Sequence, residues 1–232
     1  MTTTVSDNPQ VPSIVSEIYQ PDQLIAGKFD LVTSQGISLT GAAALKRGTV
    51  LGRVTLGAAS SAAKAGGNTG GGALTLDATT PILASAKVGV YTARCIATNT
   101  NSGTFEVKDP DGRSLGQYIV GATFADQIKF VIADGTPDFA LGDGFDITIA
   151  AGSNKFKKSV ATAVDGSQNP NAILADDADA TGGDVNCGAY LTGEFNSNAL
   201  IFDGSWTVAA LTPLLRALSI FLRTTISSAA PS

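Results

Sequence analysis

Between residues 29 and 57, FDLVTSQGISLTGAAALKRGTVLGRVTLG, apolar and polar positions alternate in short runs broken by glycine. A period of two places successive side chains on opposite faces, so the pattern predicts short strands separated by turns. Residues 45–56 form a strand-turn-strand candidate with Arg47-Gly48 at the bend. The same alternation returns at residues 88–97 (VGVYTARCIA) and 104–108 (TFEVK), followed by the turn Asp109-Pro110-Asp111-Gly112. Proline presets φ there and glycine takes the positive φ after it. LGQYIVG, IKFVIADG and GDGFDITIA add further strands, each bounded by Gly or Asp. Short strands at this spacing predict a small antiparallel sandwich or barrel. Past residue 159 the text is loop-rich around an apolar run at 172–175, and CGAYLTGEFNSNALIF predicts two more strands. One helix is expected near the end, capped by Thr212 with Pro213 at its first position. Its apolar stripe would be Leu214, Leu215, Leu218, Phe221 and Leu222, with the LRTTIS tail leaving as a last strand.

Two changes of composition divide this mostly β chain. Residues 58–73, AASSAAKAGGNTGGGA, hold almost nothing that could fill a core and predict a flexible linker. A second junction falls at 150–159, AAGSNKFKKS. The expected organisation is an arm over residues 1–20, a discontinuous core over 21–65 and 153–232, and an inserted β domain over 66–152. Such an insertion is tolerated when its two ends lie close together. The arm is polar, with Pro9 and Pro12 and little periodicity, and is expected to order only against a partner.

Composition then removes whole classes of function. Hydrophobic residues are 44% of the 232, enough for a buried core, while charged residues are 15%. That is below the roughly 25% usual in soluble domains, so Ser, Thr, Asn and Gly should supply the polar surface. The net charge is −5, and the densest basic stretch is Lys155, Lys157 and Lys158. Phosphate binding needs clustered Lys and Arg, so no nucleic-acid role is expected. The first residues lack the basic and apolar regions of a signal peptide, and no run of about 18 apolar residues exists. No membrane role is expected, and synthesis and folding in a reducing cytoplasm are. Cys95 and Cys187 lie in different segments and suggest buried thiols rather than a disulfide framework.

The chain has no histidine. Ser-His-Asp and Cys-His nucleophile systems and the common zinc sites therefore lack their central member. The only glutamates are Glu17, Glu106 and Glu194, and the aspartates fall mainly in glycine-flanked turns, where turn formation alone would select them. Asp176, Asp177, Asp179 and Asp184 form an acidic loop that loosely follows a calcium-loop spacing, but no bidentate Glu closes it. Gly66, Gly67, Gly70, Gly71 and Gly72 lack the strand, helix and Lys-Ser/Thr pair of a phosphate loop. No enzyme, cofactor or metal is expected. Trp206, near Phe202, suits either a core or an interface.

YQPDQLIAG, LKRGTVLGRVT, DGSQNPNAILADDADAT, GAYLTGEFNSNAL and LRALSIFLR together resemble the phage lambda-type head decoration protein family. AILA followed by a strand containing TGEF is the most telling combination. The likeness covers roughly residues 15–57 and 160–225, and not the insertion, whose text resembles β modules inserted in other phage virion proteins. It implies a β-clip or tulip-like core with a short C-terminal helix, forming homotrimers on the expanded head at three-fold and quasi-three-fold positions. The implied partners are the major capsid protein and the chain itself, on the outer surface of a virion capsid made in a bacterial cytoplasm. Val11, Pro12, Ile14, Val15, Ile18 and Tyr19 would form a capsid-binding arm adding a strand to capsid protein. Gln20, Pro21 and Trp206 would be trimer or capsid interface candidates. The insertion should project outward, with an unknown ligand if any. Two rivals stand beside this: a virion module binding carbohydrate or host surface through the insertion, and a tail-tube or fibre subunit.

Overall fold

The computed structural model describes residues 23–224, which are mostly β. The opening stretch forms β1 (Thr33–Leu39), β2 (Ala44–Leu45) and β3 (Val50–Arg53). The middle forms β4 (Leu56–Ala63), β5 (Ala73–Leu76), β6 (Gly89–Asn99), β7 (Ser102–Lys108), β8 (Ser114–Ile119), β9 (Phe124–Ala125), β10 (Lys129–Ala133) and β11 (Gly144–Ala151). The last part forms β12 (Phe156–Lys158), β13 (Pro170–Leu174), β14 (Ala178–Asp179), β15 (Val185–Tyr190), β16 (Gly193–Asn196), helix α1 (Val208–Arg216) and β17 (Ile220–Arg223).

The first and last parts interleave. Strands β1, β12, β3, β13 and β15 close into a five-stranded barrel, with β1 meeting β12 in parallel and the other contacts antiparallel. Alternation sorts the side chains. Leu51, Ala172 and Leu174 join Ile37, Leu39 and Ala189 in one buried cluster, while Val50 and Ile173 join Leu24, Phe195, Leu200, Leu211, Leu215 and Ile220 in another. Strands β3 and β13 are therefore buried on both faces, which explains their uninterrupted apolar text. A small barrel has a narrow interior, and alanines fill much of it. At Gly52 a Cβ would lie 1.9 Å from the Ser167 carbonyl oxygen, so only glycine allows this loop to close on β3.

The helix starts earlier than its sequence suggests. Thr207, in an extended conformation, is the cap and accepts a hydrogen bond from the Ala210 N–H at 3.2 Å. Pro213 is the sixth helical residue, where it withholds one donor near the end of a nine-residue helix. Thr212 caps nothing; its hydroxyl donates to the Val208 carbonyl. Only Leu211 and Leu215 are buried on the helix, and Leu214 and Leu218 face solvent. Ser219, at φ 61°, breaks the chain out of the helix, so Phe221 and Leu222 belong to β17 and not to a helical stripe.

The middle of the chain makes two antiparallel sheets, ordered β4-β11-β6-β7-β8 and β5-β10-β9. Their facing sides share one core, in which Tyr91, Phe105, Tyr118, Phe124, Phe130, Phe139 and Phe145 are all buried. Phe105 meets Phe139 edge-on at 5.0 Å, Tyr118 meets Phe130 tilted at 5.4 Å, and Phe124 stacks on Phe130 at 5.0 Å. The Tyr118 hydroxyl accepts from the Ile132 N–H and donates to the Ala122 carbonyl, which ties the two sheets.

Residues 58–73 are not a flexible linker. Those up to Ala63 belong to β4, paired along β11 from Leu56↔Ala151 to Ala63↔Phe145. Backbone hydrogen bonds supply there what Ala and Ser side chains cannot. The glycines beyond are held by close approach: a Cβ on Gly72 would lie 2.2 Å from the Phe139 ring, and one on Gly71 2.3 Å from the Thr136 carbonyl oxygen. Asp143, 2% exposed, pins the segment by accepting the N–H groups of Thr69, Gly70 and Ala140 at 2.8–2.9 Å. The sheet of the middle unit thus begins at Leu56, ahead of residue 66.

Candidate functional site

Five separated pieces of sequence meet around β3, β13 and β16: residues 23–27, 45–55, 170–179, 188–200 and 215–223. The chain enters along β16, with the Asn196 N–H donating to the Leu24 carbonyl at 2.8 Å and the Ala26 N–H to the Glu194 carbonyl at 2.9 Å. The Asn196 side-chain amide donates to the Gln23 carbonyl at 3.0 Å. On its other side β16 pairs in parallel with β17, from Gly193↔Ile220 to Asn196↔Arg223. The turn at Gly48 is clamped from two directions, its N–H donating to Leu174 and its carbonyl accepting from Ile201. Next to it Asp177 accepts from Lys46 at 2.7 Å and from the Arg47 N–H at 2.8 Å. These bonds hold its carboxyl below the usual carboxylate range, the Lys46 bond contributing most.

Above this ladder the apolar surface is partly open. Phe29 is 43% exposed and packs edge-on against Phe221 at 5.0 Å, and Leu31 and Val32 are exposed beside it. Arg223 forms an ion pair with Glu194 at 2.5 Å. A cleft of about 300 Å³ is lined by Arg216, Phe221, Leu222 and Arg223. The arrangement holds an entering chain along β16, and among the described residues β17 ends its sheet.

The sequence-predicted residues divide as follows. Val11, Pro12, Ile14, Val15, Ile18, Tyr19, Gln20 and Pro21 lie outside the described residues. Trp206 is half-buried against the helix cluster, and its indole N–H donates to the Ser159 hydroxyl at 3.2 Å. The acidic loop does not converge: Asp177 turns to Lys46, Asp184 to Lys155, and Asp179 to the Thr181 hydroxyl and N–H. Among the described residues no group of three His, Cys, Asp or Glu side chains could hold a metal ion. The basic stretch is spent singly, Lys155 on Asp184, Lys157 on Asp165 and Lys158 on Asp203. Cys95 and Cys187 are free thiols in different cores, and burial pushes both pKa values up. No described helix is long and apolar enough to cross a membrane. The last strand expected from Leu222 begins two residues earlier, at Ile220, and its pairing with β16 was missed because that contact is long-range.

The family model described as Bacteriophage lambda head decoration protein D matches residues 13–220, including the middle sheets. No curated protein matches. Two crystal structures of FlgL from Xanthomonas campestris match at 22% and 24% identity, over 46% and 47% of this chain. Their TM-scores are 0.31 and 0.30, and the matches span only about a third of the FlgL chains.

Proposed function

Since the chain belongs to the bacteriophage lambda head decoration protein D family, we propose that it is a trimeric cement protein of the phage head. It binds the outer surface of the expanded capsid at three-fold and quasi-three-fold sites and stabilises that state against packaged DNA. The family match over residues 13–220 carries this reading. The bottom-up support is the anchorage of the N-terminal segment. Gln23 to Ala26 are tied to β16 by three hydrogen bonds, so whatever precedes them is tethered to a firm base.

In this reading Val11, Pro12, Ile14, Val15, Ile18 and Tyr19 contact the major capsid protein by strand addition, and Gln20 and Pro21 extend that contact. Main-chain hydrogen bonds then supply affinity and alternate side chains supply specificity. Three arms on one trimer bind as a single multivalent attachment, so weak individual contacts suffice. Binding only the expanded lattice shifts the shell toward that state by mass action. The middle β unit, entered and left at the neighbouring positions Leu56 and Ala151, points away from the shell as a separate outward domain. A carbohydrate-binding role for it loses its main support, since its seven large aromatic rings are buried.

The test is removal of residues 1–18 followed by sedimentation with expanded, undecorated heads. The full chain should co-sediment at saturable stoichiometry and the truncated chain should not. Undiminished binding of the truncated chain would refute the arm.

A further inference from the structure

The strands that carry the chain into and out of the sandwich stay paired between the two units. Strand β3 runs into β4 through Val54 and Thr55, and β11 runs into β12 through residues 152–155. Across this stretch the Gly152 N–H donates to the Thr55 carbonyl and the Asn154 N–H to the Val54 carbonyl, both at 2.9 Å. The Val54 N–H donates to the Lys155 carbonyl at the same distance. Barrel and sandwich are therefore two ends of one ribbon, bulged where residues 152–155 oppose only 54 and 55. A two-stranded ribbon is weak on its own, so its bracing decides whether the sandwich holds one direction.

The loop between β12 and β13 lies against this ribbon. The Asp165 carbonyl accepts the N–H groups of both Thr55 and Leu56 at 2.9 Å. Gly166, at φ 96°, sits so close that a Cβ would fall 1.9 Å from the Thr55 hydroxyl oxygen. Side chains fix the loop in turn. Asp165 accepts from the Ser167 N–H at 3.1 Å and hydroxyl at 2.6 Å, and pairs with Lys157 at 2.6 Å. Ser159 and Ser167 are both fully buried. The Ser159 hydroxyl donates to the Ser167 carbonyl at 2.9 Å and receives the Trp206 indole N–H. A chain of polar contacts thus runs from the helix cluster through Ser159, Ser167 and Asp165 to the start of β4. Beyond it the Gln168 amide reaches the Ala84 carbonyl of the sandwich at 3.5 Å.

We propose that this loop is a brace that holds the sandwich in one direction relative to the barrel, with Asp165 and Gly166 as its positioning residues. Two observations select a rigid mount over a hinge. A hinge must change backbone angles without losing hydrogen bonds, yet the N–H groups of Val54, Thr55, Leu56, Gly152 and Asn154 are all engaged. Moving the loop would also strip the buried Ser159 and Ser167 of their partners, which costs the desolvation of each group left unpaired. The inference concerns the free chain and does not rest on the shell reading. For a subunit carrying an outward domain, it adds that every copy presents that domain at the same angle.

Residual dipolar couplings of backbone amides, measured by NMR on the full chain, test this. Couplings from the barrel strands and from the sandwich strands should fit a single alignment tensor. Two different tensors in the unaltered chain would overturn the proposal. Gly166→Ala sets a Cβ against Thr55. It should leave each unit's couplings mutually consistent, while those of the sandwich shrink and depart from the barrel tensor. Asp165→Ala removes the acceptor of Ser167 and Lys157 and should produce the same departure to a smaller degree. It decides the matter alone should the glycine variant fail to fold. A single tensor kept in the folded variants would show that the loop is not the brace.

Discussion

The barrel and the middle sandwich are both β, yet they are built on different terms. The barrel closes through strands far apart in sequence, β1 with β15 and β3 with β12 and β13, and fills a narrow interior with Ala, Leu and Ile. The sandwich joins neighbouring strands β6 with β7, β7 with β8 and β9 with β10, closes them through β11 against β4 and β6 and β10 against β5, and fills its space with seven aromatic rings. The sandwich keeps its own core and leaves the chain close to where it entered. The barrel cannot form until residues 56–151 have been made, because β12, β13 and β15 follow them. A unit with local contacts and its own core is the kind that can be inserted without rebuilding its host. In the proposed function the binding surface belongs to the other unit.

Phe105 is fully buried between Phe139 and Phe145. Phe105→Ala should cost the sandwich about 3–5 kcal/mol, seen as a lowered melting transition. Amide exchange at Leu51 and Leu174 should not change; equal loss in both units would show that they fold as one. Leu215→Ala, beneath the helix, should cost about 2–5 kcal/mol and spare the exchange of Tyr91 and Ile147 amides. It should also weaken shell binding, because Leu215 packs with Leu24 and Phe195 under the entering chain.

Asp143→Asn sharpens the contrast inside the sandwich. Burial pushes the Asp143 carboxyl up, but the N–H groups of Thr69, Ala140 and Gly70 together outweigh it and the net shift is downward. A depressed folded pKa contributes stability above the unfolded value of about 4, lost as pH falls through the folded pKa. Sandwich melting should therefore drop on acidification below about pH 4, and the variant should show a shallower drop. At neutral pH the substitution should cost about 1.5–3 kcal/mol. Thr207→Ala, which removes the helix cap, should cost about 1 kcal/mol in denaturant melts and leave the sandwich untouched.

Legibility in sequence followed the same division. Hairpins such as residues 102–119 alternate cleanly and carry a Pro-Asp-Gly turn, so the local text declares them. Strand β4 has only Leu56 as a large apolar side chain and owes its place to backbone pairing with β11, which composition does not record. The helix start was misplaced because Thr212-Pro213 is a stronger local signal than Thr207, and tertiary burial of Leu211 decided the matter. Segments quoted for the family resemblance proved to meet in space around Gly48 and β16. The terminal strand was legible from Leu222 onward, but its parallel pairing with β16 spans 27 residues and has no local signal.

In the proposed function the barrel unit attaches this chain to a phage head and carries the sandwich outward. The decisive measurement is electron cryomicroscopy of expanded, undecorated heads incubated with the full chain. The prediction is three-fold protrusions on the outer surface, with barrel density against the shell and sandwich density at the tip. Bare shells, or sandwich density seated against the shell, would contradict it.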